Sequence, residues 1–248
     1  MPKFSVLLAV YNNKDDILNA IKSIIEQTFT DWELIIIDDC STDETYNVVN
    51  EFIQNHLEYN ITLLHNNKNK GVYSSLNEGL LKAIGDIIAR VDSDDTLHNE
   101  FLEIYNNIFD NNHKIISVQS YYLRNTVTKS KKHVGEVTIA YRREVINKIG
   151  YYDSVRFAAD TEFVERIKKV YGKPRMYIID KILYFAKKRD NSLTTSEETG
   201  LKSKAGIKRR KDYVTNYRRW YGTQNSNEIY MPYPLTNRLF SVPDKMIS

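Results

Sequence analysis

A single cysteine, Cys40, occurs in the 248 residues, which excludes an internal disulfide framework and a cysteine-based zinc site. The five histidines, His56, His65, His98, His113 and His133, show none of the spacings at which imidazoles share a metal. No window approaches the run of about eighteen apolar residues that a membrane span requires. No signal-peptide series precedes the first apolar run, so the expected location is cytoplasmic. The formal net charge of +3 is too small for the chain as a whole to imply a nucleic-acid partner. Neither a Gly-x-Gly-x-x-Gly sequence nor a Walker A sequence follows the first strand-like segment, which disfavours a dinucleotide fold and a P-loop nucleotidase.

What the chain does have is an apolar run that ends abruptly in acids: Ile87-Ile88-Ala89-Arg90-Val91-Asp92-Ser93-Asp94-Asp95. The run is short and rich in β-branched residues, as in a buried strand. Carboxylates at its end would sit where open α/β sheets bind ligands. Three negative charges within four residues repel one another, and a hard divalent cation is their usual partner. The same acids also fit a helix N-cap and a solvated turn.

Earlier segments repeat the design. Phe4 to Val10 is a nearly continuous apolar run, as for a parallel strand covered on both faces. Ile17, Leu18, Ile21, Ile24 and Ile25 then recur at helical spacing. Glu33 to Ile37 is a second strand ending in Asp38-Asp39, and Ser41-Thr42-Asp43-Glu44 fits a capping box for the next helix. Ile61 to Leu64 is a third strand, and Leu76, Leu80 and Ala83 mark a helix ending near Gly85. Four strands alternating with three helices over residues 1–95 predict a parallel sheet with right-handed crossovers. Loops at its carboxyl edge would bring Tyr11, Asp39 and Asp92 to Asp95 into one pocket.

The second half is less regular. A helix is expected over Phe101 to Phe109, a strand over Ile115 to Leu123 and a polar loop over Thr126 to His133. Helices follow at Arg142 to Ile149 and Asp160 to Tyr171, then two short strands at Met176 to Asp180 and Ile182 to Phe185. Beyond Lys187 the composition turns basic, with Lys202, Lys204, Lys208, Arg209, Arg210, Lys211, Arg218 and Arg219 set against Asp212 alone. Tyr213, Tyr217, Trp220 and Tyr221 are interleaved with them, which favours packing on the main domain or a second subunit over contact with an anionic membrane surface, a polyanionic acceptor or nucleic acid. Met231 to Ser248 holds three prolines and no period, as in a docked or frayed tail.

Ordered blocks of this sequence resemble the inverting family-2 glycosyltransferases of the GT-A fold. They are Ser5 to Asn12, Ile35 to Asp43, Asn69-Lys70-Gly71 with Asn77 downstream, Gly85 to Asp95, Tyr141 to Glu144 with Gly150 to Asp153, and Asp160-Thr161-Glu162 through Arg166. The resemblance implies a Rossmann-like, mostly parallel sheet flanked by helices, with a nucleotide-binding half over 1–95, an acceptor half over 96–195, and a basic helical extension and tail over 196–248. It implies a metal-dependent inverting transferase of polysaccharide biosynthesis, moving a sugar from a nucleotide-diphosphate donor, UDP favoured, to a glycan, glycolipid or protein acceptor. Ala9, Val10 and Tyr11 match the segment lining base and ribose, and Asp39 matches the acid that accepts from a uracil ring nitrogen. Lys70, Gly71 and Ser93 fall in donor-binding blocks. Asp92 and Asp94 form the Asp-x-Asp pair, with Asp94 the more direct ligand to Mn²⁺ or Mg²⁺. Asp160 matches the catalytic base, with Ala159 where the family usually has an acid. Ala9-Val10 replaces the family's commoner hydroxyl-bearing pair. Lys187, Arg189 and Ser192 replace an Arg-x-His-x-x-Ser pattern, with Arg189 kept as a diphosphate-binding cation. A homodimer through the basic extension is compatible with this reading. Two other classes remain open: a non-catalytic nucleotide-sugar or glycan-binding module, and a nucleotidyltransferase.

Overall fold

The computed structural model describes residues 1–124, 131–187 and 195–247. The first half alternates β1 (Phe4–Val10), α1 (Ile17–Ile25), β2 (Trp32–Asp38), α2 (Thr45–Gln54), β3 (Ile61–His65), α3 (Val72–Lys82) and β4 (Ile87–Arg90). After it come β5 (Thr96–Leu97), α4 (Phe101–Asn111), β6 (Ser117–Arg124), β7 (Lys131–Val134), β8 (Ala140–Arg142), α5 (Glu144–Ile149), α6 (Ala159–Tyr171), β9 (Met176–Ala186) and α7 (Lys204–Thr223). The strands join in the order β3-β2-β1-β4-β8-β6-β9-β5, with β7 paired to β6. Ladders β3-β2-β1-β4 and β6-β9 are parallel and the shorter ones antiparallel, so by ladder length the sheet is mostly parallel. Among the described residues no helix is long and apolar enough to cross a membrane.

The apolar strands are continuous because both faces are covered. Phe4, Val6, Leu8 and Val10 of β1 pack with α1, α2 and α4 on one side. Leu7 joins α3, α5, α6 and α7 on the other. Alternation at period 2 sends neighbouring residues to opposite faces, and here both faces are core.

Several local expectations are corrected. The segment Ile115 to Leu123 begins its strand at Ser117, and Arg142 belongs to the three-residue β8 rather than to a helix. The two strands expected between Met176 and Phe185 are one, β9, whose pairing with β6 shifts register between Ser120 and Tyr122. The loop expected over Thr126 to His133 includes part of β7, a polar strand paired along one side to β6. Such edge positions carry lysines rather than an apolar alternation, which hides them from periodicity; residues 126–130 lie outside the described residues.

The basic extension packs on the main core. Tyr213, Tyr217 and Tyr221, four residues apart on α7, are buried in the cluster that holds α6. The aromatic face considered for a second subunit is thus used within the chain. The tail is docked: the Tyr151 amide donates to Met231 O at 2.8 Å and the Met231 amide to Ile149 O at 2.9 Å. Gly150 between them has φ of +79°, and a Cβ there would lie 2.0 Å from Met231 O. Arg238 in the tail pairs with buried Asp153, which also accepts from the Tyr213 hydroxyl at 2.9 Å.

α6 is locked from beneath by Glu162 and Arg166, one turn apart and both fully buried. Arg166 donates Nε and NH2 to the two Glu162 oxygens at 2.9 and 2.8 Å, and reaches Ile149 O and Tyr151 O at 2.5 and 2.7 Å. The Tyr221 hydroxyl adds a third donor to Glu162 at 2.6 Å. Removing one member of such a pair strands the other charge in the core. Glu162→Gln is therefore expected to lower unfolding free energy by about 3–5 kcal/mol in urea denaturation; a loss below about 1 kcal/mol would show that α6 does not depend on the pair.

Candidate functional site

At the carboxyl edge of β1, β2 and β4 lies a cavity of about 790 Å³, within the usual range for small-molecule sites, about 300–1,000 Å³. Parallel strands place all their loops on this edge, so residues far apart in sequence share one wall.

Ala9, Val10 and Tyr11 line the cavity where β1 ends, and Tyr11 is exposed into it. Next to them Asn12 adopts φ of +47°, Cys40, the residue after the lining Asp39, has φ of +63°, and Ala158 at the far wall has φ of +70°. Two lining residues and a third beside the lining Asp39 in this sparsely populated region mark strain stored at a site. The expected capping box does not form: α2 starts at Thr45, its N-cap residue Glu44 makes no capping side-chain bond, and Asp43 Oδ1 accepts from the Thr45 amide at 3.0 Å. The same polar residues instead tie two loops together. Asn12 Oδ1 accepts from the Thr42 amide at 2.7 Å, the Asn12 amide donates to Ser41 Oγ at 3.0 Å, and the Asn13 amide donates to Thr45 Oγ1 at 2.8 Å. Asn13 Nδ2 also donates to Ser93 O and Oγ at 2.8 and 3.1 Å, which fixes the turn between the two cavity acids.

Asp39 is buried at the base of the wall and anchors the loop after β3. Its Oδ1 accepts from Asn66 Nδ2 and the Lys70 amide, each at 2.9 Å, and its Oδ2 from the Gly71 amide at 2.8 Å. Gly71, at φ +82°, lets the chain fold its amide onto the carboxylate. Lys70 contributes its backbone here, but its side chain turns out of the cavity to Glu78, with Nζ 2.7 Å from Oε1. Asp38 is turned away, accepting from the Ser41 amide and contacting His65 Nδ1.

The acids after β4 sit in a turn and not at a helix start. Asp92, Ser93, Asp94 and Asp95 all line the cavity. Asp95 is the buried one: Oδ2 accepts from the Tyr184 hydroxyl and Oδ1 from the Lys187 amide, both at 2.8 Å. Burial, with the charges of Asp92 and Asp94 added, pushes its pKa up to about 8. Among the described residues no three His, Cys, Asp or Glu side chains form a metal-holding cluster. Mg²⁺-type sites on nucleotides use one or two carboxylates, with phosphate oxygens and water completing the shell, and the paired oxygens of Asp92 and Asp94 fit that donor chemistry.

Arg90, at the end of β4, was not singled out by sequence reading. It is 4% exposed, donates NH2 to Asp92 Oδ1 at 2.5 Å, and lies with NH1 3.9 Å from Asp160 Oδ2. Its guanidinium faces the Tyr73 ring at 5.7 Å. An arginine inside an apolar strand is itself a signal, since a buried charge demands a partner.

Asp160 stands in the first turn of α6, on the opposite wall. The N-cap position belongs to Ala158, so Asp160 is not the cap. Its Oδ1 accepts from the Thr161 amide at 2.8 Å and its Oδ2 faces Arg90. Ala159 is fully buried among apolar side chains, so an acid at this position would point into the core. Arg124, Arg156, Phe157 and Arg210 complete this wall, and sequence reading assigned none of them to it. Lys187 lines the cavity with Nζ 2.6 Å from Asp16, whereas Arg189 and Ser192 lie outside the described residues.

Comparison with known proteins gives a consistent picture. Residues 5–172 match the family described as Glycosyl transferase family 2. The poly(ribitol-phosphate) beta-N-acetylglucosaminyltransferase TarS of Staphylococcus aureus is 28% identical over 218 residues, covering 79% of this chain and 37% of TarS. An uncharacterized glycosyltransferase of Haemophilus influenzae is 35% identical over 121 residues, 49% of this chain and 48% of that protein. The chain thus spans less than half the length of either relative. The structure of S. aureus TarS 1-349 in complex with UDP-GlcNAc superposes with a TM-score of 0.66 at 26% identity, covering 77% of this chain and 60% of that one. The mannosyltransferase PcManGT of Pyrobaculum calidifontis, in complex with GDP-Man and Mn²⁺, shares the fold, with a TM-score of 0.62 at 18% identity over 75% of this chain and 56% of that one.

The geometry at Asp39 yields a test of its own. Gly71→Ala forces a side chain into a glycine conformation, and is expected to cost about 1–3 kcal/mol. It should also free the Lys70 and Gly71 amides, read as faster hydrogen exchange there; unchanged protection would mean that Asp39 does not depend on Gly71.

Proposed function

This chain belongs to glycosyl transferase family 2, and on that premise we propose that it transfers a sugar from a nucleotide-diphosphate donor, a UDP-sugar, to a hydroxyl of a glycan acceptor with inversion at the anomeric carbon. The observation that carries the reading is the single cavity onto which Asp39, Asp92, Asp94 and Asp160 all open. The UDP-GlcNAc bound in the TarS structure supports the choice of donor.

Tyr11, on the exposed end of β1, offers a face for the base, with Ala9 and Val10 behind it. Asp39 keeps lone pairs beyond those used by its amide donors and can accept from a uracil ring nitrogen. Asp92 and Asp94, the Asp-x-Asp pair, would hold Mn²⁺ or Mg²⁺ at the end of β4, with Asp94 the more direct ligand as the family pattern implies. That cation, when bound, offsets charge on the leaving diphosphate. Lys187 adds a cation on the same wall.

Asp160 approaches from the other side. Its carboxylate takes the proton of the acceptor hydroxyl as that oxygen bonds to the anomeric carbon, while the bond from that carbon to the diphosphate oxygen breaks and UDP leaves. Arg90 places a positive charge 3.9 Å from Asp160, and the buried Glu162–Arg166 pair keeps α6 from yielding. Attack opposite the leaving group gives inversion.

The experiment is transfer measured as UDP release, with product configuration read by NMR. Asp160→Asn is expected to retain UDP binding and to lose about 10²–10⁴-fold in transfer rate; full transfer would remove Asp160 from the role. Asp94→Ala is expected to abolish activity that depends on a divalent cation, and near-native turnover would contradict the assignment. Donor binding without any transfer or hydrolysis by the native chain would favour a binding module instead.

A further inference from the structure

Helix α7 packs on the core through one side. Tyr213, Tyr217 and Tyr221, at intervals of four, are buried against the cluster that holds α6. The opposite side carries Lys204, Lys208, Lys211 and Arg219, whose spacings of four, three and eight align them in one stripe. The helix has 20 residues, so it runs for about 30 Å. All four residues are exposed, and among the described residues none of them makes an ion pair or a side-chain hydrogen bond. Arg218, beside them, is already offset by Glu165, with Nε and NH2 at 2.9 and 2.6 Å from the two carboxylate oxygens. Asp212 is the one acid on α7. Ile207 stands within the stripe, three residues after Lys204 and four before Lys211, and is 51% exposed. Leu201, three residues before the helix, is exposed to the same extent.

A row of like charges one turn apart does nothing for the fold, since such neighbours on a helix repel one another. An anionic lipid surface offsets that cost, because its negative potential attracts each lysine brought close to it. Apolar side chains left in water among the lysines fit the boundary between headgroups and acyl chains. Nucleic acid fits less well. Single strands call for aromatic rings on which bases stack, and the three tyrosines of α7 are all buried. We propose that the outer side of α7 is a docking surface for an anionic membrane. The tyrosine side of the helix stays in the core, so the contact is chiefly electrostatic. α7 lies beyond residues 5–172, the span of the family match, and the proposal does not rest on the glycosyltransferase reading. Arg210, on the inward part of the same helix, lines the cavity. Docking here would therefore hold the cavity beside the lipid, about one helix diameter away.

The test is flotation of the full chain with two kinds of vesicle, phosphatidylcholine alone and phosphatidylcholine mixed with phosphatidylglycerol at about three to one. Binding is expected to the anionic vesicles only, and to fade as salt rises. Lys204→Gln, Lys208→Gln and Lys211→Gln combined are expected to lower the partition about 10²-fold, from about fivefold per lysine. All three positions are exposed, so the melting temperature in solution should hold. Ile207→Ser is expected to weaken binding with its salt dependence unchanged. Lys22→Gln on α1, across the sheet from α7, removes a charge elsewhere and should leave the partition as it is. Equal binding to neutral vesicles, no binding to anionic ones at low salt, or anionic binding untouched by the triple variant would overturn the proposal. So would capture of a single-stranded oligonucleotide by a chain that ignores both vesicles.

Discussion

The contact on which the site depends is a buried guanidinium between two carboxylates. Arg90 leaves the last position of β4 and lies between Asp92, on its own turn, and Asp160, on α6. Taking such a charge out of water costs several kcal/mol, a cost offset here by the ion pair to Asp92, the nearby Asp160 charge and the face of Tyr73. The geometry therefore has few alternatives. Moving Asp92 away would leave the buried guanidinium with Asp160, at 3.9 Å, as the nearer of the two carboxylates. Asp92 and Asp160 face one guanidinium, although 68 positions separate them in sequence.

The rest of the fold supplies stiffness around that joint. Parallel pairing of β1, β2 and β4 in register brings Tyr11, Asp39 and Asp92 to one edge. Polar loop residues bind the neighbouring turns to one another, Asn12 and Asn13 reaching both the loop after β2 and Ser93. On the far wall, α6 rests on the Glu162–Arg166 pair, and α7 closes over it through Tyr221.

The first half of the fold was legible because its signals are large. Runs such as Leu34 to Ile37 are buried on both faces, and an acid cluster after such a run has few structural uses. The strand-end rule therefore foresaw that Asp39 and Asp92 to Asp95 would share a cavity. What escaped had a local signal contradicted by tertiary structure. Ser41 to Glu44 has the capping pattern, yet Ser41 and Thr42 bond across to Asn12. The Lys70 side chain follows Glu78, a choice set by packing of α3 and not by the loop motif. β8 is three residues long, too short for periodicity to register. Arg124, Arg156 and Arg210 come from distant segments, and only the docking of α7 and the tail gathers them.

The most direct test of this account is the affinity of the full chain for UDP with and without Mn²⁺, measured by calorimetry. Acids at the end of β4 should make the two ligands cooperative, with UDP bound more tightly when Mn²⁺ is present and Mn²⁺ more tightly when UDP is present, by the same factor. A UDP affinity indifferent to Mn²⁺ and Mg²⁺ would contradict the role given to Asp92 and Asp94.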